Sequence, residues 1–365
     1  MIAHARDARI DMLRGVSILL VLLHHFNIPY SLKDTGLAAL LGWPFLHALA
    51  RNGNYGVTMF FVVSGFLITR NALDRWGGLD RIRPGAFYTL RAARILPCLL
   101  LALLTVDALA LAGAQIFGNR ADAAVSLWTV NAAALTAWVN VLIVQHGWIN
   151  YPLGVLWSLS VEMAFYLLFP LACLALRRGW ALAALAAGLI VAGPLYRLAS
   201  QGEAGAYLYG YAACFDAIAM GCCAAVLARR GRFAVLGRPA VRAIIGAAMA
   251  GLYLAWPIGQ SNVLGTTAMA FGTALLLLGG ATASRAHARP LRALAACGRL
   301  SYEIYLFHLV VLGLIRGWAP PALASGDARV ALLAVYLAAS CAAGWLVARW
   351  WSEPANAALR LHTRA

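Results

Sequence analysis

The chain has 365 residues, of which 63% are hydrophobic and only 12% are charged, and its formal net charge at pH 7 is +16. Soluble domains carry about 25% charged residues, so this composition excludes a soluble two-domain protein, and also a disordered or collagen-like one. The apolar runs are continuous over roughly twenty residues, whereas strands of membrane barrels alternate over about ten. The sequence therefore predicts an all-α polytopic membrane protein.

The excess of basic residues has two interpretations. Lys33 is the only lysine, and every other basic residue is an arginine. A basic soluble face is typical of nucleic-acid binding, but in a membrane chain the basic residues mark the cytoplasmic loops. We therefore expect no nucleic-acid partner.

Ten segments are predicted to cross the membrane. In chain order they are 12–29, 56–73, 92–114, 156–176, 180–199, 206–228, 240–256, 263–281, 300–318 and 328–351. A single transmembrane domain is expected over 1–352, followed by a short cytoplasmic tail at 353–365.

The apolar stretch 126–145 is ambiguous, and the charge bias decides its interpretation. If it does not cross, 23 of the 29 basic residues collect on one side of the membrane. If it crosses, the arginine-rich loops 229–242 and 285–299 face outward, against the positive-inside rule. We therefore expect about ten transmembrane helices with both termini cytoplasmic. Segment 126–145 would be re-entrant or would lie against the bundle.

The first span carries two ionisable residues at membrane depth, Arg14 and His25. Such residues are costly there and usually face a cavity or a partner. A separation of eleven residues is three helical turns plus about 20°, so the two share one face, about 16 Å apart along the axis. A snorkelling arginine with a satisfied interior histidine fits this pattern as well as a functional stripe does.

The next two spans carry further candidate features. In the run FFVVSGFLITR (60–70), Ser64 and Gly65 are small residues that permit close helix approach. Arg91 and Arg94 lie one helical turn apart at a predicted cytoplasmic entrance. They fit simple positive-inside anchoring, and they also fit a phosphate clamp, because guanidinium forks match phosphate oxygens.

Two later spans carry polar stripes. In the run WSLSVEMAFYLLFP (157–170), residues Ser158, Glu162 and Tyr166 share one helix face next to Trp157. The only acid of that span is Glu162. Its polar neighbours favour a functional site over a protonated glutamate with a structural role. A second stripe lies in the run LSYEIYLFHLVV (300–311), where a site and a polar helix entry are equally good interpretations. Its members are Ser301, Tyr305 and His308, with Tyr302 and Glu303 at the cytoplasmic rim.

Several common chemistries lack their motifs. The sequence has no HExxH and no Cys/His cluster at ligand spacing, so we expect no metal. It also has no P-loop, no Rossmann glycine fingerprint and no GxSxG elbow, which makes nucleotide hydrolysis and a serine hydrolase poor hypotheses.

Five motifs occur in order along the chain. They are R-x10-H (Arg14, His25), FFVVSGFLI (60–68), R-x-x-R-I-x-P (91–97), WSLSVExxFYLxxP (157–170) and SYxIYLxH (301–308). Together they resemble the acyltransferase-3 family of bacterial integral-membrane O-acyltransferases, which has a ten-helix core. One departure is Met163, which stands where the family often has a second acid. Glu162 is still present, but a mechanism that uses two neighbouring carboxylates at this position is not possible. The chain resembles the stand-alone form of the family, without an SGNH domain.

The resemblance implies a bacterial inner-membrane enzyme that takes an acyl group from cytoplasmic acyl-CoA, commonly acetyl-CoA. The acceptor would be a hydroxyl of a cell-surface or exported glycan, such as an exopolysaccharide or lipopolysaccharide. Catalytic roles would fall to His25, Arg14 and Glu162, and acyl-CoA binding to Arg91 and Arg94. The substrate-binding candidates are Trp157, Ser158, Tyr166, Ser301, Tyr305 and His308. Expected partners are acyl-CoA, the glycan or another polyhydroxylated acceptor, membrane lipid and a second copy of the chain.

The mechanism and the acceptor have alternatives. His25 is a candidate general base on the acceptor hydroxyl, and equally a nucleophile that forms an acyl-imidazole. Glu162 is a candidate to orient His25, and Arg14 a candidate to stabilise the thioester oxyanion or to pair with Asp11 or Glu162. A secondary metabolite such as a macrolide is an alternative acceptor, and a glycan transporter is a hypothesis of a different class.

Overall fold

The computed structural model describes residues 7–203, 205–231, 233–279 and 289–361. Over these residues the secondary structure is helical, with one isolated bridge between Asn119 and Asn150 and no strand. The helices are α1 (Ala8–Asn27), α2 (Gly36–Leu41), α3 (Trp43–Arg51), α4 (Asn54–Trp76), α5 (Pro84–Leu111), α6 (Leu127–Leu135), α7 (Val139–His146), α8 (Leu156–Leu176), α9 (Gly179–Ala199), α10 (Ala206–Tyr209), α11 (Tyr211–Ala228), α12 (Pro239–Ala255), α13 (Ile258–Leu278), α14 (Arg289–Arg299), α15 (Ser301–Trp318), α16 (Ala328–Val347) and α17 (Glu353–Leu361).

The prediction of an all-α polytopic membrane protein is confirmed. Within the described ranges, eight helices are long and apolar enough to cross a membrane. A ninth span results if α14 and α15, which meet at a bend of 80°, are counted as one. The predicted span that is not among these nine, 240–256, is the 17-residue helix α12, which is shorter than the other candidates.

The segment 126–145 forms two helices, each of which is too short to cross a membrane by itself. Helices α6 and α7 have nine and eight residues, whereas a span needs about twenty. Ala137, between them, has a φ of 69°. The segment lies against the bundle, because the backbone N–H of Val139 donates to the hydroxyl of Ser160 at 3.1 Å. Tyr211 also donates a hydrogen bond to the carbonyl oxygen of Ala137.

The chain after α16 folds back onto the bundle. A π-helical turn, Ala348–Ser352, joins α16 to α17, and α17 packs against α5. The tail predicted at 353–365 is therefore helical as far as Leu361, and residues 362–365 lie outside the described part. So do Arg6, Arg285 and Arg364, which the charge count places on the cytoplasmic side.

Small residues bring two helix pairs into backbone contact. Between α4 and α11, a Cβ at Gly65 would overlap the carbonyl oxygen of Ile218, which agrees with the close approach predicted at this position. Between α1 and α14, a Cβ at Gly15 would overlap the carbonyl oxygen of Leu294. A Cβ at Gly298 would overlap that of Asp11, so α14 is pressed against the helix that carries Arg14 and His25.

A buried ion pair ties α9, α11 and α13 together. The charge count assigns Arg197 to the outer side of the membrane, but its side chain is buried inside the bundle. It forms a bidentate ion pair with Asp216, in which Nη2 donates to Oδ2 at 2.7 Å and Nη1 donates to Oδ1 at 3.1 Å. Its remaining hydrogen bonds go to Thr267 and to the carbonyl oxygens of Ala213 and Val263. We call this group the Arg197 cluster.

Candidate active site

A cavity of about 190 Å³ lies between α1, α4, α5, α8 and α15. Eight of the eleven predicted site residues line it, namely Arg14, Arg91, Arg94, Ser158, Glu162, Tyr166, Ser301 and Tyr305. Apolar side chains of α4, among them Val57, Phe60 and Phe61, complete the wall. The structure thus brings together residues that are far apart in sequence, and we call this space the charged cavity.

Glu162 is held in the cavity wall by two hydroxyl donors. Ser64 from α4 and Tyr166 from the next turn of α8 each donate a hydrogen bond to its carboxylate. One turn earlier in α8, Ser158 bonds Tyr305 of α15, with 2.7 Å between the two hydroxyl oxygens. The predicted polar face of α8 is therefore real, and its two ends contact different helices.

The three arginines of the cavity differ in what they bind. Arg94 donates to Glu303 at 3.0 Å, and the Glu303 side chain is only 2% exposed. Arg91 stacks over the rings of Phe87 and Tyr166, each at 5.9 Å, and its buried Nε has no hydrogen-bond partner among the described residues.

Arg14 has no hydrogen bond to the described part of the protein, although it lies within the electrostatic reach of Glu162 and Glu303. Arg91 and Arg14 therefore keep donors free for a ligand, whereas part of Arg94 is used by Glu303.

Two exposed arginines extend the positive charge at the same end of the cavity. Arg360 of α17 and Arg75 of α4 are exposed, and Arg360 is close enough to Arg75, Arg91 and Arg94 to interact with them electrostatically. No local pattern in the sequence marks Arg360, because only the return of α17 onto α5 places it there.

The two predicted histidines pair with each other outside the cavity wall. The Nδ1 of His25 lies 3.0 Å from the carbonyl oxygen of Val21 and 3.3 Å from the Nε2 of His308. The Nδ1 of His308 lies 2.6 Å from the carbonyl oxygen of Tyr305. Tyr305 lines the cavity, and its ring lies 5.6 Å from that of His308. His308 is thus fully buried next to Tyr305, whereas His25 is half-buried.

These contacts assign the ring protons. A carbonyl oxygen only accepts, so the Nδ1 of each histidine must carry a proton that it donates. The single Nδ1 proton of His25 then faces two acceptors, the carbonyl oxygen of Val21 at 3.0 Å and the Nε2 of His308 at 3.3 Å. The Nε2 of a neutral His25 keeps its lone pair. A histidine in this state has the nitrogen that a general base or a nucleophile needs.

Two predicted arrangements differ from the structure. Glu162 does not orient His25, because its partners are Ser64 and Tyr166 and the partner of His25 is His308. Trp157 lies outside the charged cavity. Its ring packs against Tyr209 at 4.9 Å and against Phe61 at 6.0 Å. Pairing across helices depends on tertiary packing, which spacing within one helix does not encode.

The described residues contain no group of three or more His, Cys, Asp or Glu side chains placed to hold a metal ion. All seven cysteines are free, and the shortest recorded contact between two of them is 3.8 Å between the sulfur atoms of Cys297 and Cys341.

The fold and the cavity define a multi-pass helical membrane protein with a charged site inside its bundle. Residues 7–349 match the family model of the acyltransferase-3 domain, so the chain belongs to this family of membrane acyltransferases. The resemblance carried by the five sequence motifs is thereby confirmed.

Two curated relatives are similar over part of the chain. A peptidoglycan O-acetyltransferase, OatA of Listeria monocytogenes, is 28% identical over 166 residues, which are 44% of this chain and 23% of OatA. BcsY of Komagataeibacter xylinus, named as a membrane-bound transacylase, is 33% identical over 170 residues, which are 44% of this chain and 36% of BcsY. The matches thus span between a quarter and about a third of these relatives. No solved structure matches the chain.

Proposed function

We propose that the protein is an O-acyltransferase of the bacterial inner membrane. It moves an acyl group, in the first instance acetyl, from cytoplasmic acyl-CoA to a hydroxyl of a cell-surface or exported glycan. The observation that carries the proposal is the charged cavity, in which Arg14, Arg91 and Arg94 face Glu162 inside an acyltransferase bundle. Relatives named as a peptidoglycan O-acetyltransferase and a transacylase support this chemistry.

Donor binding is assigned to the arginine end of the cavity. CoA carries phosphates that remain on the wet side of the membrane, and guanidinium groups bind phosphate oxygens in pairs. Arg91 has unused donors for this purpose, and Arg360 and Arg75 add positive charge nearby. The thin pantetheine arm then leads the thioester along the apolar wall of α4.

The transfer breaks the acyl–sulfur bond and forms an acyl–oxygen bond. The acceptor hydroxyl loses its proton to the Nε2 of His25, and the leaving CoA thiolate recovers that proton from the imidazolium. In the alternative route, Nε2 attacks the thioester first and expels CoA as its thiolate. The acyl-imidazole then passes the group to the hydroxyl, whose proton goes to the thiolate. In both routes the carbonyl oxygen of Val21 holds the proton of His25 on Nδ1, and the Nε2 of His308 lies 3.3 Å from the same nitrogen as a second acceptor.

Arg14 and Glu162 act on the charge that develops during transfer. The free donors of Arg14 stabilise the oxyanion of the tetrahedral intermediate. Glu162 balances the positive charge of the cavity when no donor is bound. His25 is half-buried and lies outside the cavity wall, so the proposed reaction includes a movement that brings the thioester and the Nε2 of His25 together.

The test compares two neighbouring histidines of α1. His24 bonds the carbonyl oxygen of Ala50 at 3.0 Å and lies outside the cavity wall, so His24→Ala is a matched control for His25→Ala. Membranes containing each variant in equal amount are supplied with labelled acetyl-CoA, and mass spectrometry follows the acetyl groups on the surface glycans.

We expect His25→Ala to abolish acetylation and His24→Ala to retain it. Retained acetylation in His25→Ala membranes would remove His25 from the chemistry. If the wild-type protein changes glycan export without cleaving the thioester, the protein is a transporter. Acetyl groups found on a secondary metabolite instead of the glycan would replace the proposed acceptor.

A further inference from the structure

Phe61 separates the charged cavity from a second, much smaller void. The same side chain lines both spaces. The second void measures about 10 Å³ and is bounded by Trp157, Thr58 and Cys214, among others. This volume is about what one water molecule needs. Among the described residues, Phe61 is the side chain common to both linings, and we call it the Phe61 partition.

The Phe61 partition lies far from the arginine end of the cavity. Phe61 packs on Trp157, and Arg91 stacks over Tyr166. Trp157 and Tyr166 are nine residues apart on α8, which is roughly 13 Å along a helix axis. Side chains near Phe61 in the wall are apolar, including Val57, Phe60 and Leu159. A donor whose phosphates lie at the arginines has its acyl end in this apolar part, because hydrocarbon is favoured against hydrocarbon.

The ring of Phe61 is fixed by its neighbours. It is 4% exposed and packs edge to face on Trp157 with 6.0 Å between centroids. Trp157 in turn packs on Tyr209. Small side chains of α11, Ala213 and Ala217, lie on the far side of the void. A smaller residue at position 61 would join the void to the charged cavity without disturbing a hydrogen bond.

We propose that Phe61 sets the length of the acyl group that the enzyme accepts, by closing the acyl end of the cavity. This inference rests on the proposed function, because it takes acyl-CoA as the donor. The substrate class that it assigns to the native protein is a short acyl-CoA. Truncation of Phe61 would admit longer chains into the space behind it.

The experiment measures kcat/KM for acetyl-, butyryl- and hexanoyl-CoA by release of the free CoA thiol in membranes. Phe61→Ala is compared with Phe60→Ala, a matched control that widens the charged cavity but does not border the second void. We expect Phe61→Ala to raise the hexanoyl-to-acetyl ratio about tenfold or more, the range that a few methylenes are worth in an apolar pocket. Phe60→Ala should change this ratio less.

Two results would overturn the inference. One is an unchanged ratio in Phe61→Ala, and the other is an equal change in both variants, which would mean that any widening suffices. Phe61→Leu, a smaller truncation, keeps the test open if Phe61→Ala does not fold, and it should give an intermediate ratio. Failure of the proposed function is a separate result, in which the wild-type protein releases no thiol from acetyl-CoA.

Discussion

The Arg197 cluster and the charged cavity both bury arginine and carboxylate groups in the same bundle. In the Arg197 cluster, the guanidinium of Arg197 is saturated by Asp216, Thr267 and two backbone carbonyls, and neither charged side chain is more than 1% exposed. In the charged cavity, Arg14 has no hydrogen bond to the described residues, and Glu162 is bound by hydroxyl groups and not by a cation.

The difference shows how a buried charge serves structure or chemistry. A guanidinium whose donors are all used has none left for a ligand, and it fixes the positions of the helices that supply its acceptors. A guanidinium with free donors beside an open space is costly for folding and is typical of a functional site. The sequence marks both kinds of residue in the same way, as ionisable groups in apolar helices.

The largest effect on stability is expected from breaking the buried ion pair of Arg197 and Asp216. Asp216→Asn leaves Arg197 charged in the interior and turns an amide donor toward its guanidinium. Loss of one partner from a buried pair costs about 3–5 kcal/mol. We expect the variant to give a much lower folded yield and a lower midpoint of thermal unfolding in detergent. The double variant Arg197→Met with Asp216→Leu should recover most of that loss. A stable Asp216→Asn protein would contradict the structural role of the cluster.

The matching change in the charged cavity is Glu162→Gln. The amide oxygen of glutamine still accepts hydrogen bonds from Ser64 and Tyr166, so the fold should keep its thermal midpoint. We expect acyl transfer to fall about ten- to a hundredfold, the worth of one charged interaction of 1.5–3 kcal/mol. The measurement is the rate of acetyl-CoA thiol release at equal protein. If Glu162→Gln lowered the folded yield but kept normal specific activity, Glu162 would have a structural role and not a functional one.

A smaller effect separates the two predicted clamp arginines. Arg91→Ala should raise the KM for acetyl-CoA about tenfold, because one charge-assisted bond to phosphate is lost, and the thermal midpoint should not change. Arg94→Ala, by contrast, leaves Glu303 buried and unpaired, so it should also lower the midpoint. Equal behaviour of the two variants in both assays would argue that they only anchor the chain in the membrane.

The smallest effect is expected from an ion pair in water. Arg120 and Asp122 bond at 2.8 Å in an exposed loop, and this contact lowers the pKa of Asp122. Any stabilisation from it is therefore present above the carboxyl pKa of the unfolded chain and is lost as pH falls through the lower folded value. Solvent screening makes such pairs weak. We expect no measurable change of thermal midpoint in Asp122→Asn at pH 7, and a clear decrease would contradict this expectation.

The sequence carries most of the fold, because continuous apolar runs allow few structures in lipid. Each of the ten predicted spans overlaps a helix of the described residues. Positive-inside counting indicated that 126–145 is re-entrant or lies against the bundle, and its two short helices pack against the bundle. The bend of 80° between α14 and α15 was not predicted. It falls at Leu300, two residues after Gly298, and the sequence analysis did not interpret that glycine as a break.

Less of the candidate site follows from the sequence. Periodicity correctly placed Glu162 and Tyr166 on one face, and eight predicted residues line one cavity. The partners His25 and His308 are 283 residues apart in the chain, and Ser64 and Glu162 are 98 residues apart. Both pairs therefore depend on contacts between different helices. The sequence placed Ser64 only in a region of close helix approach, because a hydroxyl in an apolar helix carries no sign of its partner.

The glycine contacts between α1 and α14 bear on how a map of tolerated substitutions would be interpreted. Gly15 and Gly298 have backbone atoms of the opposite helix where a side chain would begin. A scan of single substitutions would therefore find these two positions intolerant, although neither can take part in chemistry. Gly15 also follows Arg14 directly, so a loss of activity there would imitate a catalytic defect. Genetic data at this helix crossing need a measurement of folded protein before they can identify a catalytic residue.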